Sequence, residues 1–125
     1  MIGKRMRRSV LIVDDDRTFL SLATRILAQA GLEVVATAED AAGAVSAADA
    51  TKPDAALVDV GLPDRGGVDL AYELAELPWR PLVVLTSTDS DASFAFDTSD
   101  GRPSLPFIPK EELANGGLAS LLTSG

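Results

Sequence analysis

Leu11-Ile12-Val13-Asp14-Asp15-Asp16 and Leu57-Val58-Asp59-Val60-Gly61-Leu62-Pro63 decide the fold. In each stretch a short, unbroken apolar run stops at an aspartate. Runs of that length without polar alternation read as strands buried on both faces, the pattern of a parallel sheet covered by helices. Working outward, Ser9–Val13 is the first strand, and Asp16 caps a helix running to about Ala30, with Phe19, Leu22, Ile26 and Ala30 as its inner stripe and Gly31 as its stop. Glu33–Thr37 predicts a second strand. Glu39–Ala50 is an alanine-rich helix ended by Lys52-Pro53, and Asp54–Asp59 is the third strand. Gly61–Gly67 reads as a loop, and Val68–Leu77 as a helix turning Val68, Ala71, Leu74 and Ala75 inward. Pro81–Leu85 and Leu105–Pro109 complete the strands. Glu111–Leu122 is a last helix weakened by Asn115-Gly116-Gly117. Between them Ser87–Ser104, rich in Ser, Thr and Asp, supports at most a short helix. The expectation is an α/β chain: a doubly wound five-stranded parallel sheet, helices on both faces, the fourth helix short or irregular.

Composition narrows the function. At 125 residues there is material for one domain, expected over residues 9–125 with residues 1–8 as a basic tail, and no room for a separate output module. The chain has neither cysteine nor histidine, which excludes thiol nucleophiles, Ser-His and Cys-His pairs, and His- or Cys-ligated metals. Lys4, Arg5, Arg7 and Arg8 hold four of the eleven basic residues. The other seven face nineteen acids, a balance of −12. Such a body repels nucleic-acid phosphate and anionic lipid, so direct binding to either is not expected. No apolar window approaches a membrane span or a signal-peptide core, and a cytoplasmic location is the expectation.

The strand ends carry the chemistry. In a doubly wound sheet ligands bind beyond the carboxyl ends of the strands, where strand order reverses. Asp14-Asp15-Asp16 ends the first strand, Asp59 the third, Thr86-Ser87 the fourth, and Lys110 the fifth. If the first and third strands are neighbours, Asp14, Asp15 and Asp59 converge, and three carboxylates so close require a compensating cation. Oxygen-only ligands select Mg²⁺ or Mn²⁺. Each piece alone has a plainer reading: an acid-enriched helix start, a turn aspartate, loop hydroxyls, a solvated lysine. Their coincidence on one sheet edge favours a site.

At these residues the chain resembles the response-regulator receiver domain of two-component signalling. Leu11–Asp16 resembles the family's first strand and acidic pair, Leu57–Gly67 its phosphoacceptor strand and loop, Val83–Ser87 its hydroxyl-bearing strand, and Phe107-Ile108-Pro109-Lys110 its fifth strand with a switch aromatic and lysine. The resemblance spans about residues 9 to 122. It implies a flavodoxin-like strand order of 2-1-3-4-5. It also implies that Asp59 accepts phosphate from a histidine kinase or phosphotransfer protein, and that Asp14, Asp15, Asp59 and the Gly61 carbonyl hold Mg²⁺. Thr86, Ser87 and Lys110 would bind the phosphoryl group, and Thr86 with Phe107 would form a switch controlling an output protein. Self-association into a homodimer is compatible with this reading.

The sequence also departs from the family. Glu111 follows Lys110 where proline is usual, with Pro109 before it, and Gly61 offers no side chain beside the acceptor. Ser87–Ser104 stands where the family has its fourth helix. Two rival readings follow: a degenerate receiver that binds partners without phosphorylation, and a haloacid-dehalogenase-like phosphatase using Asp14 as nucleophile. The second rests on Asp14-Asp15-Asp16-Arg17-Thr18, which fits D-x-D-x-T but leaves the Asp59 stretch unexplained.

Overall fold

In chain order the elements are β1 (Ser9–Val13), α1 (Arg17–Gln29), β2 (Glu33–Ala38), α2 (Ala41–Thr51), β3 (Ala55–Asp59), α3 (Gly67–Ala75), β4 (Leu82–Ser87) and β5 (Phe107–Pro109), then a 3-10 helix at Lys110–Asn115. The structure is a computed structural model and describes residues 8–62, 64, 66–87 and 105–115. All strand pairs are parallel, in the order β2-β1-β3-β4-β5. The expected doubly wound sheet is therefore present. The reversal of order lies between β1 and β3, the two strands that end in aspartates.

The apolar runs form strands because both faces are covered. Alternate residues of β1 enter two cores: Val10 and Ile12 pack with α1, while Leu11 and Val13 pack with α2 and α3. All four are fully buried. Helix α2 approaches closely because Ala41, Ala44 and Ala48 line its inner face, and the left-handed Lys52 (φ 45°) ends it. At the amino-terminal edge of the sheet, Ser9 and Asp54 bond reciprocally and Trp79 Nε1 donates to the Pro53 carbonyl at 2.8 Å. These contacts fasten the edge opposite the one that carries the aspartates.

Several expectations need correction. The buried line of α1 is Phe19, Leu20, Ala23 and Leu27, whereas Leu22 is 46% exposed and Ala30 lies outside. Side-chain size favoured Leu22, but small Ala23 lets the helix sit close to the sheet. Helix α3 begins at Gly67, which the sequence reading placed in the loop. Strand β4 runs on through Thr86 and Ser87, because the ladder continues with Thr86 opposite Ile108 and Ser87 opposite Pro109. After β5 the chain forms a 3-10 helix over 110–115 where an α-helix was expected. The expectations for the basic tail (residues 1–7), for the segment 88–104 and for the remainder of the last helix lie outside the described residues.

Candidate functional site

Parallel pairing of β1 with β3 sets Val13 beside Val58, so the residues following them, Asp14 and Asp59, leave the sheet side by side. One carboxylate oxygen each from Asp14, Asp15 and Asp59 lies within 4.8 Å of the others. Asp14 is fully buried, Asp59 nearly so, and Asp15 exposed. Asp14 Oδ1 accepts a hydrogen bond from the Asp16 N–H at 2.9 Å. Its Oδ2 faces the Lys110 ammonium at 2.6 Å in an ion pair. The atom is thus charge-compensated yet has no hydrogen-bond partner.

Asp59 is held in a state that resists ionisation. Burial raises its pKa most, the Asp14 charge adds to this and Asp15 adds a little; Lys110 and the Gly61 N–H oppose them. An oxygen-only donor set, a buried oxygen without a hydrogen bond and a carboxylate pushed towards its neutral form are all satisfied by one hard dication. The residues present fit Mg²⁺ or Mn²⁺.

The other expected residues lie at or just after the ends of β3, β4 and β5. Thr86 lies opposite Asp59 in the β3–β4 ladder, is buried, and accepts the Val60 N–H through its carbonyl at 3.0 Å. Ser87 follows, also buried. Gly61 is exposed, and a Cβ built there would sit 3.9 Å from Asp59 Oδ2, an ordinary contact. Phe107 is half-buried opposite Leu85 and packs towards α2 and α3, one register position before the Thr86–Ile108 pair. Thr86 and Phe107 therefore stand one register position apart on adjacent strands.

Three contributors escaped the sequence reading. Gly67 packs so tightly that an added Cβ would lie 1.9 Å from the Asp59 carbonyl oxygen; the Gly66-Gly67 tandem was the available clue. Asp64, read only as a loop residue, accepts the Ala41 N–H at 2.9 Å and the Ala42 N–H at 3.1 Å. It thereby ties the loop after Asp59 to the start of α2, where Asp40 accepts the Gly43 N–H at 2.7 Å. Phe19, assigned only to the core, also places its ring centroid 4.4 Å from Lys110 Nζ.

Among the described residues no helix is long and apolar enough to cross a membrane. Residues 10–101 match the model of the response regulator receiver domain. Relatives include the transcriptional regulatory protein PdtaR of Mycobacterium tuberculosis, 39% identical over 80 residues covering 64% of this chain and 39% of that protein. The alkaline phosphatase synthesis regulator PhoP of Bacillus subtilis is 29% identical over 110 residues, covering 85% of this chain and 45% of PhoP. This chain thus spans less than half the length of these relatives. A receiver domain structure from Clostridium thermocellum superposes with TM-score 0.80 at 18% identity, covering 94% and 92% of the two chains. The receiver domain of NarL from M. tuberculosis gives 0.74 at 24%, covering 91% and 95%. The fold and the family model agree, and the chain belongs to the response regulator receiver domains of two-component systems.

Proposed function

We propose that residues 9–125 act as a phosphoacceptor unit in which Asp59 takes a phosphoryl group from a phosphohistidine of a histidine kinase or phosphotransfer protein. The observation that carries this reading is the convergence of Asp14, Asp15 and Asp59 with Lys110 at the order reversal of the sheet. An Asp59 carboxylate oxygen attacks phosphorus, the P–N bond breaks with its electron pair returning to the imidazole, and an acyl phosphate forms. Phosphoryl transfer needs positioning and positive charge on the transferring oxygens more than covalent help. Lys110 supplies one such charge from the chain itself. Asp14, Asp15, Asp59 and the Gly61 carbonyl would hold Mg²⁺, which when bound supplies the rest. The Thr86 hydroxyl and Ser87, at the end of the strand paired with the acceptor strand, would bond phosphoryl oxygens.

On this reading the chain is a signalling switch, not a turnover enzyme. Modification of Asp59 draws on Thr86, and Phe107, one register position away on β5, passes the change to an output protein. Within the site, Asp14 is a poor nucleophile, since one oxygen is bonded to the Asp16 N–H and the other faces Lys110.

The test is loading with acetyl phosphate and Mg²⁺, followed by mass spectrometry and borohydride trapping. One phosphoryl group on Asp59, absent from Asp59→Asn and from chelator-treated protein, is expected. Label on Asp14, or undiminished loading of Asp59→Asn, would overturn the proposal.

A further inference from the structure

Lys110 starts a 3-10 helix directly after a strand of three residues, and its long side chain must still place the ammonium over a fixed point. Its ion pair with Asp14 Oδ2 is close, and one contact alone fixes a distance without fixing a position. A second contact comes from Phe19, whose ring centroid is 4.4 Å from Nζ. Phe19 is 6% exposed and the Lys110 side chain 12%, so the cation and the ring meet largely out of water, where such contacts are strongest.

The backbone links both partners of the lysine. Asp14 Oδ1 accepts the Asp16 N–H at 2.9 Å, and Asp16 Oδ1 accepts the Phe19 N–H at 3.3 Å while capping α1. Carboxylate and ring are thus held in one relative position through Asp16. The two partners differ in one respect that matters for function. A divalent cation competes with Lys110 for Asp14; it does not compete for the neutral ring.

We propose that Phe19 is a positioning residue for the phosphoryl-transfer site, its ring face holding the Lys110 ammonium over the carboxylate cluster when Asp14 is engaged by a metal ion. The assignment rests on the reading of Asp59 as phosphoacceptor. Phe19 also belongs to the core beside α1, so its test must separate ring electrons from bulk.

Progressive fluorination of the Phe19 ring keeps its shape and weakens the electrostatic attraction of its face. The initial rate of Asp59 phosphorylation by acetyl phosphate at saturating Mg²⁺ should fall stepwise along the series, by roughly five- to tenfold at the end. Thermal stability should not follow the same order. In parallel, proton NMR should show the Lys110 ε-methylene resonances shifted upfield by the ring, the shift persisting at saturating Mg²⁺ and lost in Phe19→Leu. Equal rates across the series, rates that merely track stability, or an ε-methylene shift that vanishes on adding Mg²⁺ would each overturn the assignment. If the wild-type chain takes no label at all, the reading of Asp59 fails separately, and the NMR measurement decides whether Phe19 holds Lys110.

Discussion

Replacing Gly67 with alanine tests the packing that places Asp59. A Cβ at this position would lie 1.9 Å from the Asp59 carbonyl oxygen, 2.8 Å from its carbonyl carbon and 2.8 Å from the Val60 Cα. Ordinary contact begins near 3.4 Å, so backbone must retreat from backbone by about 1.5 Å, with no side-chain rotamer to absorb the change. Overpacking a core typically costs about 1 to 3 kcal/mol, and rigid neighbours put this case at the upper end. Alanine recovers up to ~1 kcal/mol through its helical preference, leaving a net loss of about 2 kcal/mol. For a domain of this size that corresponds to a fall in Tm of roughly 8 °C. Urea denaturation of Gly67→Ala beside Gly66→Ala isolates the effect, since Gly66 has a φ of −62° and nothing within 4 Å of its virtual Cβ. Gly66→Ala should match the wild type to within about 0.5 kcal/mol. Equal midpoints for the two variants would refute the argument that close approach, not backbone freedom, demands glycine at 67.

Two further outcomes follow from the site. The raised pKa of Asp59 means that the folded chain holds this proton more tightly than the unfolded chain, so its stabilising effect is full below the ordinary value of 3.8 and is lost as pH rises through the folded pKa. Without divalent cations, Asp59→Asn should therefore be more stable than the wild type at neutral pH, the gap closing as pH falls towards 3.8; denaturation across pH reads this, and a less stable variant at neutral pH would contradict it. Asp64→Ala should cost about 1 to 2 kcal/mol and speed amide exchange selectively at Ala41 and Ala42, with Asp64→Asn intermediate; unchanged exchange at those two amides would show that the cap carries no stability.

What could be read in advance follows the range of the physics. The strands were legible because burial on both faces leaves a local mark, an unbroken apolar run. The convergence of Asp14, Asp15 and Asp59 was legible because adjacency of two strands carries the residues after them together. Thr86 and Ser87 were clipped from β4 because polarity argues locally against a buried strand, while the ladder to Ile108 and Pro109 holds them in it. The start of α3 was misplaced for the converse reason: a glycine tandem reads locally as loop, whereas the approach of Gly67 to the Asp59 carbonyl is set by the tertiary fold. The Asp64 cap and the Phe19–Lys110 contact left no local mark at all. Each joins residues far apart in the chain by side-chain geometry alone.

The sheet order has a consequence for synthesis. Because β1 lies inside the sheet, between β2 and β3, it gains its second neighbour only after β3 has also left the ribosome. The site needs still more, since its members run from Asp14 to Lys110, and β5 pairs with a strand that must itself already be docked on β3. At translation speeds of about 5 to 20 residues per second, the acids exist for several seconds before their lysine is made. No partial chain ending before residue 110 carries the complete pocket. The complete cluster is thus acquired only once Lys110 has been made and β5 has docked, and a product truncated before that residue lacks it.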